Sequence, residues 1–309
     1  MIVVPDDFPS VFEGSDAHTR AKELGDVRVF SERGAEDESE LARRLSGGSV
    51  AVNVRAYSRF SDAVFARCPE LRMVAIWGTG TDNVDLAAAA RRGVTVCNTP
   101  GVNAFAVAEH ALALMLAVAR KLTRIDKEMR GGAWPREMLT QLGGRTLAVF
   151  GTGAIGSRVA ELAGAFGMKV ETWSARRNTA AEKRAILARA DIVTLHLRLT
   201  PETQGFIGAQ EFALMRPGVI LVNTGRGALV ERNALHAALA DGTLAGAGLD
   251  VFHDEPLKAD DPLLGFANTV LSPHNAGQTP EVRRDGLLKV IENVERFLAG
   301  SPVNVVPPA

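Results

Sequence analysis

Short runs of valine, isoleucine, leucine and alanine alternate along the chain with stretches whose apolar residues recur at helical spacing. In the first hundred residues this pattern predicts strands over 49–54, 71–77 and 94–97, with helices over 62–67 and 83–92 between them. Continuous apolar strands separated by helices predict a parallel sheet covered on both faces. A long apolar helix is expected from Ala104 to about Arg130, ended by Gly131-Gly132 ahead of Trp134-Pro135. From Arg145 the alternation resumes, with strands over 146–150, 170–173, 192–197, 218–223, 245–251 and 268–271 and helices over 155–166, 180–190 and 231–241. That is a doubly wound sheet of about six strands. A last helix, 280–298, carries Val282, Leu287, Leu288, Ile291, Val294 and Leu298 but has no sheet of its own, so it must dock on something already built.

Composition narrows the class. With 309 residues, 46% of them hydrophobic, the chain is long enough to divide into two domains. Thirty-five basic against 36 acidic side chains leave a formal charge of -1 and no field for gripping a polyanion, so no nucleic-acid partner is expected. The longest uncharged apolar stretch, 111–119, is too short to span a bilayer, and the start reads as an apolar burst, Met1 to Pro5, followed by Asp6 and Asp7. No membrane association and a cytoplasmic location are expected. Cys68 and Cys97 form no metal-binding or redox pair; Cys97 reads as inert core, and no metal is expected. No internal repeat is visible.

Gly151-Thr-Gly153-Ala154-Ile155-Gly156 follows an apolar strand and opens an amphipathic helix. In that context Gly151 permits a tight turn, Gly153 leaves room for a pyrophosphate, and Gly156 lets helix and strand pack closely, with free N–H groups at the helix start facing the negative charge. A dinucleotide is expected there. The next strand ends Trp173-Ser174-Ala175-Arg176-Arg177. An acidic residue at that tip would accept the ribose hydroxyls of NAD; here there is none, Ser174 can donate to a phosphate, and two guanidinium groups follow. NADP(H) is therefore weakly preferred over NAD(H), a solvated loop being the other reading.

Three polar segments fall at strand ends, where ligands of open α/β sheets lie: 223–227, 248–256 and 271–277. A nicotinamide enzyme acting on a small anionic carbonyl compound needs a cation for the carboxylate, a proton donor for the carbonyl oxygen, and a carboxylate partner for that donor. Arg226, His274 and Glu255 fill those roles, with Asp254 as competitor to Glu255. Of the other histidines, His110 and His236 lie within helical patterns, His18 and His253 lie in polar segments, and His196 ends a buried strand where a structural or cofactor-contact role fits.

These stretches, together with Gly78 to Asp85, Asn98-Thr-Pro-Gly101, Val107-Ala-Glu-His110, Ala165 to Met168, Asp191 to His196 and Leu221 to Gly227, resemble the D-isomer-specific 2-hydroxyacid dehydrogenase family over essentially the whole chain. The resemblance implies an α/β fold of two Rossmann-like domains, a cofactor domain inserted into a discontinuous flavodoxin-like substrate domain. The expected boundaries are 1–98 for the first part of the substrate domain, 99–274 for the dinucleotide-binding domain and 275–309 for the segment that returns. It implies the same roles for Arg226, His274 and Glu255. Backbone groups at Arg55, Ala56 and Tyr57 and at Trp77, Gly78, Thr79 and Gly80 would receive the substrate carboxylate, while Asp250 and the Thr224 carbonyl would hold the nicotinamide amide. A homodimer through the cofactor domains is also implied, using the helix from Ala104 and the segment near Trp134. Ser174 replaces the family's frequent Asp, Arg198 a frequent proline, and Asn275 and Ala106 a frequent apolar residue and serine, which leaves substrate and cofactor choice open.

The activity expected is hydride transfer between NAD(P)H and a small 2-keto acid or (R)-2-hydroxy acid, the domains closing over the substrate. The alternatives are NAD-dependent oxidation of a hydroxy-acid or phosphorus substrate, or a dinucleotide-sensing corepressor-like protein.

Overall fold

The continuous apolar runs become strands that pair in parallel throughout two sheets. The computed structural model describes residues 1–54 and 57–308. The chain divides into two compact units, Met1–Asn103 with Gln278–Ala309, and Ala104–Gly277.

The first unit is built on strands β1 (Ile2–Val4), β2 (Val27–Val29), β3 (Val50–Asn53), β4 (Met73–Ile76) and β5 (Thr95–Cys97), in the order β2-β1-β3-β4-β5. Helices α1 (Asp16–Glu23), α2 (Glu38–Leu45), α3 (Asp62–Arg67) and α4 (Leu86–Arg91) connect them. Each begins at a Ser or Asp whose side chain accepts from the first-turn backbone: Ser15, Asp37, Ser61 and Asp85. The apolar pattern predicts none of β2, α1 or α2, and marks β1 only as a short apolar burst. The two strands are only three residues each, and residues 8–48 are predominantly polar, so their burial depends on what packs against them.

The remaining face of this sheet is closed by the end of the chain. The last helix, Pro280–Leu298, places Leu287, Val290, Ile291 and Val294 in one core with Ile2, Val4, Val50, Val52, Met73 and Ala75. Buried Asn293 fixes its position, donating from Nδ2 to the Asn98 carbonyl at 2.8 Å while its Oδ1 accepts from Asn304 Nδ2 at 2.8 Å. Val305 then bridges Cys97 in antiparallel fashion. Cys97 is fully buried, and burial pushes its thiol up to about 11, which fits inert core.

The second unit opens with the apolar helix expected from Ala104, but this is not one helix to Arg130. It is α5 (Ala104–Ala119) followed by α6 (Leu122–Arg130), broken where Lys121 turns into the left-handed region at φ 50°. The two pieces have different environments: α5 is largely buried, whereas α6 buries no residue. Six parallel strands follow, β6 (Thr146–Phe150), β7 (Lys169–Trp173), β8 (Ile192–Leu195), β9 (Val219–Asn223), β10 (Leu244–Leu249) and β11 (Thr269–Leu271), in the order β11-β10-β9-β8-β6-β7. Their helices are α7 (Ala154–Ala165), α8 (Ala180–Leu187), α9 (Ala209–Leu214), which the sequence pattern missed, and α10 (Arg232–Ala240). Glycines in β10 bring α5 close: a Cβ on Gly248 would stand 2.8 Å from Leu114 Cβ. The sheet grows from β6 in both directions, to β7 on one side and β8 on the other, so its topological switch point lies beside β6. Among the described residues no helix is long and apolar enough to cross a membrane.

Candidate active site

At that switch point the glycine loop has the form its sequence suggests. Gly151 adopts φ 101°, a conformation that side chains disfavour, and a Cβ there would stand 2.4 Å from the His196 carbonyl oxygen at the end of β8. A Cβ on Gly156 would lie 1.8 Å from the Gly151 carbonyl oxygen. Both glycines are therefore required by the chain's own packing. Gly153 is different: its φ is -74°, and nothing lies within 4 Å of where its Cβ would be. It starts α7 without a capping side chain, and the Ala154, Ile155 and Gly156 N–H groups find no acceptor among the described residues. Unsatisfied amides, an open approach and the positive end of a twelve-residue helix fit a dinucleotide pyrophosphate.

Around this loop, Ser174, Arg176 and Arg177 form the turn after β7. The Ser174 carbonyl accepts from the Arg177 and Asn178 amides, and both arginines are exposed, with no ion pair among the described residues. His196 Nε2 lies 2.9 Å from Thr194 Oγ1 and Nδ1 lies 3.4 Å from Thr224 Oγ1. Burial pushes its imidazole down to about 4, so it stands neutral beside the loop at ordinary pH.

Glu255 and His274 are brought together by the turns after β10 and β11. His274 Nδ1 is 2.6 Å from Glu255 Oε2, and Glu255 Oε1 accepts from the Phe252 amide at 3.0 Å. Burial pushes the Glu255 carboxyl up, but the hydrogen bonds from His274 and Phe252, with the charges of His274 and Arg226, outweigh it and hold the group below the ordinary carboxylate value. Arg226 follows β9, where Nη1 donates to the Gly225 carbonyl and its own carbonyl accepts from Asn223 Nδ2, each at 2.8 Å. Gly227 beside it is needed because a Cβ would lie 2.1 Å from the Phe252 carbonyl carbon, which would force apart the turns carrying Arg226 and Glu255. Asp254, the competing acid, pairs instead with Arg232 at 2.6 Å.

Asp250 is buried, and both its oxygens are already engaged by its own chain. Oδ1 accepts from Ser272 Oγ at 2.6 Å and the Asn275 amide at 3.0 Å, and Oδ2 accepts from the Ala276 amide at 2.9 Å. His110 of α5 reaches the same cluster, Nε2 lying 2.8 Å from Ser272 Oγ. The Thr224 carbonyl accepts no bond among the described residues. Hydrophobic periodicity marks His110 only as a helical residue; the one signal for it in the sequence is the Val107-Ala-Glu-His110 stretch. Among the described residues no group of three His, Cys, Asp or Glu could hold a metal.

The residues expected to receive a substrate carboxylate lie in the other unit. Arg55 and Ala56 fall outside the described residues. The Tyr57 hydroxyl donates to Asp6 Oδ1 at 2.8 Å, and the Arg33 guanidinium stacks 4.8 Å from its ring centre. In the turn after β4, Trp77 lies against Gly286 of the last helix, where a Cβ would stand 2.3 Å from the indole nitrogen. Gly78 is committed at both polar groups: its N–H donates to Thr99 Oγ1 at 2.8 Å and its carbonyl accepts the Thr99 amide at 2.9 Å. The Thr79 and Gly80 N–H groups find no acceptor among the described residues.

Residues 112–276 match the family described as "D-isomer specific 2-hydroxyacid dehydrogenase, NAD binding domain". The glyoxylate reductase of Aeropyrum pernix is 43% identical over 262 residues, covering 79% of this chain and 78% of that protein. The hydroxypyruvate reductase of Blautia hydrogenotrophica is 32% identical over 299 residues, covering 92% of each chain. Among solved structures, an acyclic imino acid reductase in complex with NADPH and D-Arg superposes with a TM-score of 0.90 at 30% identity, covering 99% of both chains.

Proposed function

The chain belongs to the D-isomer specific 2-hydroxyacid dehydrogenase family, and we propose on that footing that His274 is its proton donor, Glu255 the partner that orients it, and Arg226 the cation that binds the substrate carboxylate. The protein is an NAD(P)-dependent oxidoreductase acting on a small 2-keto or 2-hydroxy acid. The observation that carries the residue roles is the 2.6 Å contact between His274 Nδ1 and Glu255 Oε2. An ionised Glu255 accepts the Nδ1 proton and so fixes the tautomer, making Nε2 the atom that gives a proton to the carbonyl oxygen in reduction and takes it back in oxidation. Arg226 supplies the fixed positive charge a small carboxylate needs.

The residues around Gly151 to Gly156 would hold the pyrophosphate, with Asp250 and the Thr224 carbonyl near the nicotinamide amide and His196 as a neutral wall. The bound nicotinamide cofactor would supply the hydride. Ser174, Arg176 and Arg177 favour NADP(H) weakly: the turn offers a hydroxyl, no carboxylate, and two exposed guanidinium groups without an ion pair among the described residues. A structural neighbour bound to NADPH agrees with that choice. Substrate carboxylate contacts are assigned to the turn at Trp77, Gly78, Thr79 and Gly80, through the N–H groups of Thr79 and Gly80, and to Arg55, Ala56 and Tyr57. The names of the relatives point to glyoxylate and hydroxypyruvate as first substrates to try. The exposed apolar residues Leu122, Met129, Trp134 and Met138 support a homodimer through this unit, which sedimentation tests directly.

His274→Ala should lower keto-acid reduction by at least about 10²-fold while dinucleotide binding stays nearly intact. Unchanged turnover would overturn the assignment.

A further inference from the structure

His274 sits in the left-handed region at φ 52°, a conformation that costs a side-chain-bearing residue energy and persists only where its surroundings hold it. The restraint is visible on both sides of the residue. Before it, Ser272 Oγ is bonded; after it, the Asn275 and Ala276 amides are bonded, and all three donate to the one buried carboxylate of Asp250. The segment carrying the imidazole is thus wrapped around Asp250.

The hydrogen count on Ser272 extends this clamp outward. A serine hydroxyl has one proton, and at 2.6 Å from Asp250 Oδ1 that proton goes to the carboxylate. Ser272 Oγ can then only accept from His110 Nε2, 2.8 Å away, so Nε2 of His110 carries a hydrogen. His110 is itself well anchored. It lies one turn before Leu114 on α5, and Leu114 packs on Gly248, two residues ahead of Asp250. Donor and final acceptor are therefore referenced to the same contact between helix and strand.

We propose that His110 and Ser272 are positioning residues for the reaction: the chain His110 to Ser272 to Asp250 sets the height and orientation of the turn from which His274 reaches the substrate. This rests on the reading of His274 as the acid/base. Neither His110 nor Ser272 need touch the substrate. Losing either relaxes the turn, and a displacement of about 1 Å at a reacting group can cost up to about 10²-fold in rate.

The test uses the full-length protein with glyoxylate and hydroxypyruvate as probes and NADPH as reductant, comparing His110→Ala, His110→Gln, Ser272→Ala and His274→Ala. His110→Ala and Ser272→Ala should each lower kcat about 10-fold. The keto-acid KM and the NADPH Kd should move by less than about twofold, because neither variant removes a group assigned to bind substrate or cofactor, and Asp250 keeps the Asn275 and Ala276 amides. His110→Gln, whose amide nitrogen can donate from nearly the same place, should recover most of the lost kcat. If His110→Ala does not fold, Ser272→Ala, which removes a single oxygen, carries the comparison alone. Wild-type kcat in both His110→Ala and Ser272→Ala, with His274→Ala inactive, would overturn this inference and leave the role of His274 standing. Equal losses in His110→Gln and His110→Ala would also overturn it. Full turnover in His274→Ala would remove the reading beneath it and the inference together.

Discussion

The first strands of the two sheets end in opposite ways. Both β1 and β6 lead parallel, doubly wound units, and both run into a turn and then a helix. After β1 most backbone N–H groups of the turn are consumed internally. Asp7, fully buried, accepts from the amides of Val11, Phe12 and Glu13 and from Ser10 Oγ, and Asp6 beside it accepts from the amides of Phe8, Gly34 and Ala35 and from the Tyr57 hydroxyl. After β6 the turn has glycine in place of carboxylate, and the first amides of α7 find no acceptor among the described residues. The fold supplies amides at the crest of each sheet. Whether the chain answers them with its own anion or leaves them for a ligand's is decided by one or two residues.

The largest test of this contrast is Gly156→Ala. The new Cβ cannot coexist with the Gly151 carbonyl, so the loop must open and its amides lose their aim. Dinucleotide affinity should fall about 100-fold, the equivalent of about two charge-assisted hydrogen bonds, as read by NADPH fluorescence titration; an unchanged Kd would mean the loop is not the binding site. The mirror experiment is Asp7→Ala, which strands several buried amides. Stability should drop by about 3 kcal/mol in urea unfolding while NADPH affinity stays within about twofold. A selective loss of affinity would break the comparison.

Next in size is the pair Arg176→Ala and Arg177→Ala. The ratio of NADPH to NADH kcat/KM should fall about 10-fold in the double variant, through removal of the two cations proposed to face a 2'-phosphate; identical ratios would show the turn to be merely solvated. The smallest effect concerns His196 beside the glycine loop. Its pKa is depressed from 6.5 to about 4 by burial, so the unfolded chain takes up a proton first as the pH falls, and wild-type stability declines across that interval. His196→Asn should show a shallower fall of Tm between those two values and none of the difference above pH 7. Parallel Tm curves would show that His196 titrates alike in both states.

Most of the second unit was legible in the sequence because its information is local. Strands β6 to β11 are apolar runs bounded by turns, and the Gly151 to Gly156 loop announces itself by spacing next to a strand. Arg226, Glu255 and His274 could be picked out as residues at strand ends. The first unit was harder to read. In the sequence Asp6 and Asp7 only follow an apolar burst, yet they are among the unit's most buried polar groups, because the amides that neutralise them come from residues 8–13 and 34–35. Hydrophobic periodicity shows His110 only as a helical residue, since its partner Ser272 is 162 positions away. The break at Lys121 was missed for a related reason: helical periodicity continues across it, while burial does not.

By itself the sequence determined the alternation of elements, the nucleotide loop and the chemical types available at the strand ends. Those depend on side-chain periodicity, glycine sterics and ionisable groups, all expressed within a few residues. Tertiary structure decided which carboxylate serves which partner: Glu255 for His274, Asp254 for Arg232, Asp250 for the turn at residues 272–276. It also placed the last helix against β4 and brought His110 to Ser272. Such choices are made by desolvation and hydrogen-bond geometry among groups far apart in the chain, and no local pattern encodes them.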